Sequence, residues 1–182
     1  MLTIVQAPSA VLSQKATEVK KVNKSTFELV EEMKQTLLAV KDIIGVGLAA
    51  PQVGIPLRVF VMKPSEKTPF QVVINPKVIS VDPIPSAKAK KGKSNVKLEG
   101  CLSLLNIWGT VKRASKVTIS FLDENGLEHT KTFKGFEATI VQHEMDHLEG
   151  ILFPKRVLEQ KGELYKSHKN KKGEDIFDPI EI

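Results

Sequence analysis

The sequence predicts an α+β fold, and three observations carry that prediction. Apolar residues recur at helical intervals in two stretches only, residues 25–40 and 136–148. Between them lie runs rich in β-branched and aromatic residues that are too short for helices, at 58–62, 70–74, 117–122 and 127–133. Helices and strands do not alternate as a βαβ pattern requires.

The first helix, 25–40, opens at Ser25, whose spacing to Glu28 suits a capping box, and carries Val30, Met33, Leu37 and Val40 on one face. The next stretch, Gly45-Val46-Gly47-Leu48-Ala49-Ala50-Pro51-Gln52-Val53-Gly54-Ile55-Pro56, is too rich in Gly and Pro for a helix interior. Strands follow at 58–62 and 70–74; Asn75-Pro76 breaks the second, and 77–81 resumes it. Residues 82–97 read as a loop. Residues 96–104 read as one extended segment, with Leu98, Gly100, Leu102 and Leu104 alternating with Glu99, Cys101 and Ser103. Strands 117–122 and 127–133 form a hairpin around Asp123-Glu124-Asn125-Gly126. The second helix, 136–148, stops at Gly150. Beyond Glu159 periodicity is weak, so residues 1–158 are expected as the functional domain and 159–182 as a short charged tail, a strand or disordered.

Composition narrows the class. A chain of 182 residues buries roughly 70% of its unfolded surface, enough for one core without covalent staples. The single Cys101 excludes a disulfide framework and suits a reducing compartment. No apolar run approaches a membrane span, and the first residues lack the order of a signal peptide, so a cytoplasmic protein with no membrane partner is expected. The 27 basic and 21 acidic residues leave a net charge of +6. Lys88, Lys90, Lys91, Lys93 and Lys97 crowd one short segment without a carboxylate. That segment reads as a solvated loop or as a contact for a phosphate backbone.

The sharpest chemical signal is His143-Glu144-Met145-Asp146-His147. Side chains four apart on a helix share a face, so both imidazoles can reach one metal ion, with Glu144 placed to act as a general base. Two histidines and a carboxylate on a stripe with Ile140 are costly to bury without a partner, which a metal supplies; two hydrogen-bonded structural histidines are the plainer alternative. A catalytic site needs a third ligand. No third His follows, Glu149 lies off the ligand face, and Glu159 or Glu163 would serve only if the tail were helical. Cys101 is the other candidate, although a lone Cys is commonly a buried apolar residue. His129 and His168 lack any partner pattern, and the Gly-rich stretch lacks the Gly-Lys-Ser/Thr ending of a phosphate loop.

Three motifs in order, Gly45-Val46-Gly47-Leu48-Ala49-Ala50-Pro51-Gln52, Glu99-Gly100-Cys101-Leu102-Ser103 and His143-Glu144-Met145-Asp146-His147, resemble those of the peptide deformylases, as do the flanking Ile74-Asn75-Pro76, Arg113 and Gln142. The resemblance covers the chain from its first helix to about Phe153. It implies antiparallel β-sheets packed around a central metal-binding helix, with an N-terminal helix. It implies removal of the N-formyl group from the initiator methionine of nascent chains, releasing formate. By resemblance Cys101, His143 and His147 would bind one divalent metal, Fe(II) physiologically, with Zn, Ni or Co as substitutes. Glu144 would be the base, and the Gln52 side chain and Leu102 N–H would stabilise the oxyanion. Val46, Gly47 and Gly100 would grip an extended N-formylmethionyl peptide, with Val46, Phe136, Thr139, Ile140 and His143 around the methionine.

The chain departs from the family pattern at three places. Leu105 stands where Pro is common, Trp108 where Arg is frequent, and Thr139 is more polar than usual. Trp108 reads either as a substrate contact or as a core residue. No long ribosome-docking helix ends the chain, so ribosome contact would fall to the lysines between Lys88 and Lys97; a monomer is expected. A zinc endopeptidase and a non-catalytic RNA-binding module are the rival readings.

Overall fold

The computed structural model describes residues 1–40, 45–84 and 98–181. The loop expected at 82–97, with its cluster of lysines, lies almost wholly outside them. An α+β fold with antiparallel sheets is found. The first helix, α1, is Lys24–Ala39, and its cap is a correction to the sequence reading. Asn23, not Ser25, closes the capping box: its side chain accepts from Thr26 N at 3.2 Å, and Thr26 Oγ1 accepts from Asn23 N at 3.4 Å. Asn23 is an equally good cap and already has the extended backbone a cap needs, so Glu28 is left to pair loosely with Lys24.

Strands β1 (Gly47–Ala49), β2 (Val59–Met62), β3 (Gln71–Val81), β6 (Lys116–Leu122) and β7 (Glu128–Lys134) form a five-stranded sheet in the order β1-β2-β3-β6-β7. Asn75-Pro76 does not end β3. Asn75 takes positive φ, and the register with β6 shifts there, so the strand kinks and continues. Every residue of β2 is buried because both faces of the sheet are covered. Phe60 and Met62 meet Ile140, Val141 and Leu148 of α2 (Gly135–Leu148), while Val59 and Val61 meet Val30, Met33 and Leu37 of α1.

A second sheet has the order β4-β5-β8-β9. The segment expected to be continuous to residue 104 is instead two strands, β4 (Leu98–Cys101) and β5 (Leu104–Thr110), hinged at Leu102-Ser103. The tail is likewise corrected. Residues Phe153–Glu159 form α3, and β8 (Leu164–Lys169) and β9 (Asp175–Ile180) make a hairpin whose β8 pairs with β5. The hairpin is mostly exposed and buries too little side-chain area to leave a strong apolar pattern in the sequence. Cys101, Ile107 and Leu164 pack against Phe153 and Val157 of α3. Among the described residues no helix is long and apolar enough to cross a membrane.

Candidate metal centre

Helix α2 places its candidate metal ligands by simple periodicity. Its apolar stripe is bound to the sheet through Ala138, Ile140, Val141 and Leu148, which turns His143, Glu144 and His147 toward β1 and β4. Glu144 and His147 are almost fully buried. Gly150, with φ of +69°, ends the helix as expected. Ile151 N donates to Asp146 O at 2.9 Å and Gly150 N to His147 O at 3.1 Å, closing the ligand-bearing turn.

Cys101 comes to this face from the end of β4. Its Sγ lies 3.2 Å from His147 Nε2, which lies 3.2 Å from His143 Nε2. Two imidazole nitrogens and a thiol sulfur within 4.8 Å of one another are a donor set suited to a tetrahedral ion, whose bond lengths place ligand atoms roughly 3.3–3.6 Å apart. Neither Glu159 nor Glu163 joins them: Glu159 pairs with Arg156 and Glu163 accepts from Tyr165. Glu149 turns away, as its position predicts, to Arg58 at 2.6 Å and Lys15 at 2.8 Å. His129 and His168 pair with Asp123 and Asp178.

Glu144 Oε2 is buried without a hydrogen-bond partner among the described residues, a costly arrangement that a cation or water would relieve. Burial pushes its pKa up to about 7. The reason for Gly47 is now visible: a methyl there would overlap the Glu144 carboxylate. Gln52 is fixed at both ends. Ala49 N donates to its Oε1 at 2.8 Å, while its Nε2 donates to Cys101 Sγ at 3.4 Å and Ser103 Oγ at 3.3 Å. Leu102 is tied by its carbonyl, which accepts from Gln6 Nε2 at 2.9 Å.

Sequence reasoning gave no role to the charged residues behind the ligands. His143 Nδ1 meets Glu99 Oε1 at 2.6 Å, which turns Nε2 toward the other ligands. Glu99 also accepts two bonds from the Arg113 guanidinium, which reaches Asp146 at 2.6 Å; Arg156 holds the other oxygen of Asp146. Burial alone would raise the Glu99 pKa, but hydrogen bonds from His143 and Arg113 prevail and hold it down at about 2. Burial opposes the proton on His143, yet Cys101 and Glu99 outweigh it and raise its pKa; burial and the neighbouring His143 push His147 down. Their place inside the two quoted motifs was the sequence signal for Glu99 and Asp146, but it carried no role.

Of the expected pocket residues, Phe136, Thr139 and Ile140 lie in the N-terminal half of α2, ahead of His143. Ile140 is buried, Val46 packs on its cluster, and Phe136 is nearly half exposed. Thr139 donates its hydroxyl to Gly135 O at 3.4 Å, so its extra polarity is absorbed by its own helix. Leu105 is exposed. Trp108 sits half-buried on β5 against Gly100, on the opposite face of the sheet from the α3 packing.

Comparison with known proteins gives one answer. The family model for polypeptide deformylases matches residues 1–163. A peptide deformylase of Chlorobium luteolum is 41% identical over 152 residues, spanning 81% of this chain and 73% of that protein. The crystal structure of the Thermotoga maritima peptide deformylase aligns with a TM-score of 0.74 at 33% identity, covering 86% of this chain and 97% of that one. A Met-Ala-Ser-bound class I type b peptide deformylase of Acinetobacter baumannii aligns at 0.73 and 31%, covering 86% and 98%.

Proposed function

The chain belongs to the polypeptide deformylase family, and from that premise we propose how its own residues carry the reaction. That reaction is hydrolysis of the N-formyl group from the N-terminal methionine of new polypeptides, with release of formate. One observation supports the assignment above the others: Cys101, His143 and His147 converge beside a buried, unpartnered Glu144 oxygen.

These three residues hold one divalent ion, Fe(II) physiologically with Zn, Ni or Co as substitutes, whose chemistry is to acidify water and polarise a carbonyl. Glu144 takes a proton from the attacking water and returns it to the departing amine; a buried carboxylate with a pKa near neutrality suits both duties. As the formyl carbon becomes tetrahedral, the Gln52 amide and Leu102 N–H donate to its oxygen. Ala49 N holds the Gln52 oxygen, which keeps the amide nitrogen on this site as it exchanges one of its long bonds for the new one.

Each sheet presents one edge strand to this site, β1 from the first and β4 from the second, unpaired on that side among the described residues. An extended peptide between them is gripped by backbone groups of Val46, Gly47 and Gly100, as an added strand would be. Its methionine enters among Val46, Phe136, Thr139, Ile140 and His143, and its later residues pass Trp108. The Acinetobacter baumannii relative carries bound Met-Ala-Ser, a peptide of this class. The enzyme works as a cytoplasmic monomer on nascent chains, with the Lys88–Lys97 segment as its ribosome contact.

The test is formate release from formyl-Met-Ala-Ser by metal-loaded protein and by Glu144→Gln. The variant should lose roughly 10²–10⁴-fold in kcat while keeping its metal. Retained activity in the variant, or wild type that binds no metal, would refute the assignment.

A further inference from the structure

The hairpin β8–β9 begins at Leu164, just after the matched part of the chain, yet it is built onto β5, the neighbour of the strand β4 that borders the catalytic cleft. Directly opposed residues in a sheet share a face. Gly100 lies opposite Trp108, Trp108 opposite Tyr165, and Ser167 opposite Phe177. These residues therefore line the face of the second sheet away from α3. On it the indole is fixed from two sides. Trp108 Nε1 donates to Ser167 Oγ at 2.9 Å, and the Phe177 ring meets the indole edge-on at 5.7 Å between centroids. The inner edge of the indole presses on Gly100 so closely that a methyl there would collide with it.

Gly100 immediately precedes the ligand Cys101 and lies on β4, whose other edge pairs with no strand among the described residues. A peptide added along that edge presents alternate side chains to the Trp108 face. We propose that the β8–β9 hairpin is a substrate-selecting element: Ser167 and Phe177 hold Trp108 as an apolar wall that favours an apolar or aromatic side chain at the residue following formylmethionine. This rests on the cleft reading given above for Gly100 and Trp108. Ser167 and Phe177 are positioning residues, and the wall continues the cleft rather than forming a separate surface. An edge-to-face partner and a hydrogen bond both restrict the indole's rotation, which matters because an aromatic wall contributes only when its orientation is fixed.

The experiment measures formate release from formyl-Met-Phe-Ser, formyl-Met-Ala-Ser, formyl-Met-Asp-Ser and formylmethionine amide, using metal-loaded wild type, Phe177→Ala and Ser167→Ala. Wild type should prefer Phe over Asp by roughly three- to tenfold, expressed in KM. Both variants should lose most of that preference, with kcat and the rate on formylmethionine amide unchanged. A wild type without preference, variants that keep it, or an equal loss on every substrate would overturn the proposal, the last by showing a purely structural role. Because Trp108 is the only tryptophan, its emission gives a second reading. Met-Phe-Ser should shift it more than methionine amide, and the difference should vanish in Phe177→Ala. If formate release fails on every substrate while this shift stands, the catalytic reading fails and the wall survives. An absent or indiscriminate shift overturns the wall.

Discussion

Gly47 shows how little room the site leaves. The Glu144 carboxylate lies where a side chain on residue 47 would begin, so the glycine is required for space, at a position with ordinary strand backbone. Gly47→Ala should displace Glu144 and lower kcat roughly 100-fold, since small misplacements of a base are costly. Metal content and melting temperature should stay near those of wild type. A variant with full kcat would show that Glu144 has slack the packing does not suggest. Such contacts were hidden in the sequence. Gly47 was legible as part of a Gly-rich turn, but its neighbour lies 97 positions away on another element. Glu99 is similar: its closeness to Cys101 was visible, whereas its bond to His143 depends on how β4 meets α2.

At the scale of elements, α2 is the piece whose start and stop were both readable, and its end matters for chemistry. The turn after Leu148 is closed by bonds to His147 O and Asp146 O, with Gly150 in the left-handed region. A side chain there would also meet the Ser13 backbone. Gly150→Ala should cost about 2 kcal/mol in urea unfolding, combining the strained backbone and the collision. It should also weaken metal retention against a chelator, because His147 lies in the loosened turn. An unchanged unfolding midpoint would count against this account. The C-terminal hairpin is the contrary case. Strands that stay mostly exposed need few apolar residues and so give a weak pattern, and what orders β8 is pairing with β5, a strand more than fifty residues earlier.

For the whole molecule, the buried charges tie the two sheets to the ligand helix. Glu99 from the second sheet, Asp146 from α2 and Arg113 just before β6 meet at 2.6 Å on each side of the guanidinium. The Glu99 pKa is lowered in the fold, from 4.5 to about 2, so this carboxylate contributes stability that is complete above its unfolded value and is lost as pH falls toward 2. The contribution is of order 3 kcal/mol. Urea midpoints of wild type should therefore fall more steeply between about pH 5 and about pH 2 than those of Glu99→Gln. Parallel curves would show that the network does not act through Glu99. Sequence alone determined the α+β class, the two long helices and the 117–133 hairpin region, and pointed to the grouping of Cys101, His143 and His147, because each is written in local spacing or in a resemblance of contiguous motifs. Only the tertiary structure decided that Gly47 yields its space to Glu144, that Glu99 orients His143, and that the charged tail becomes the brace of Trp108. Those facts arise from contacts between residues far apart in the chain, and local periodicity carries no record of which distant side chain will fill a given space.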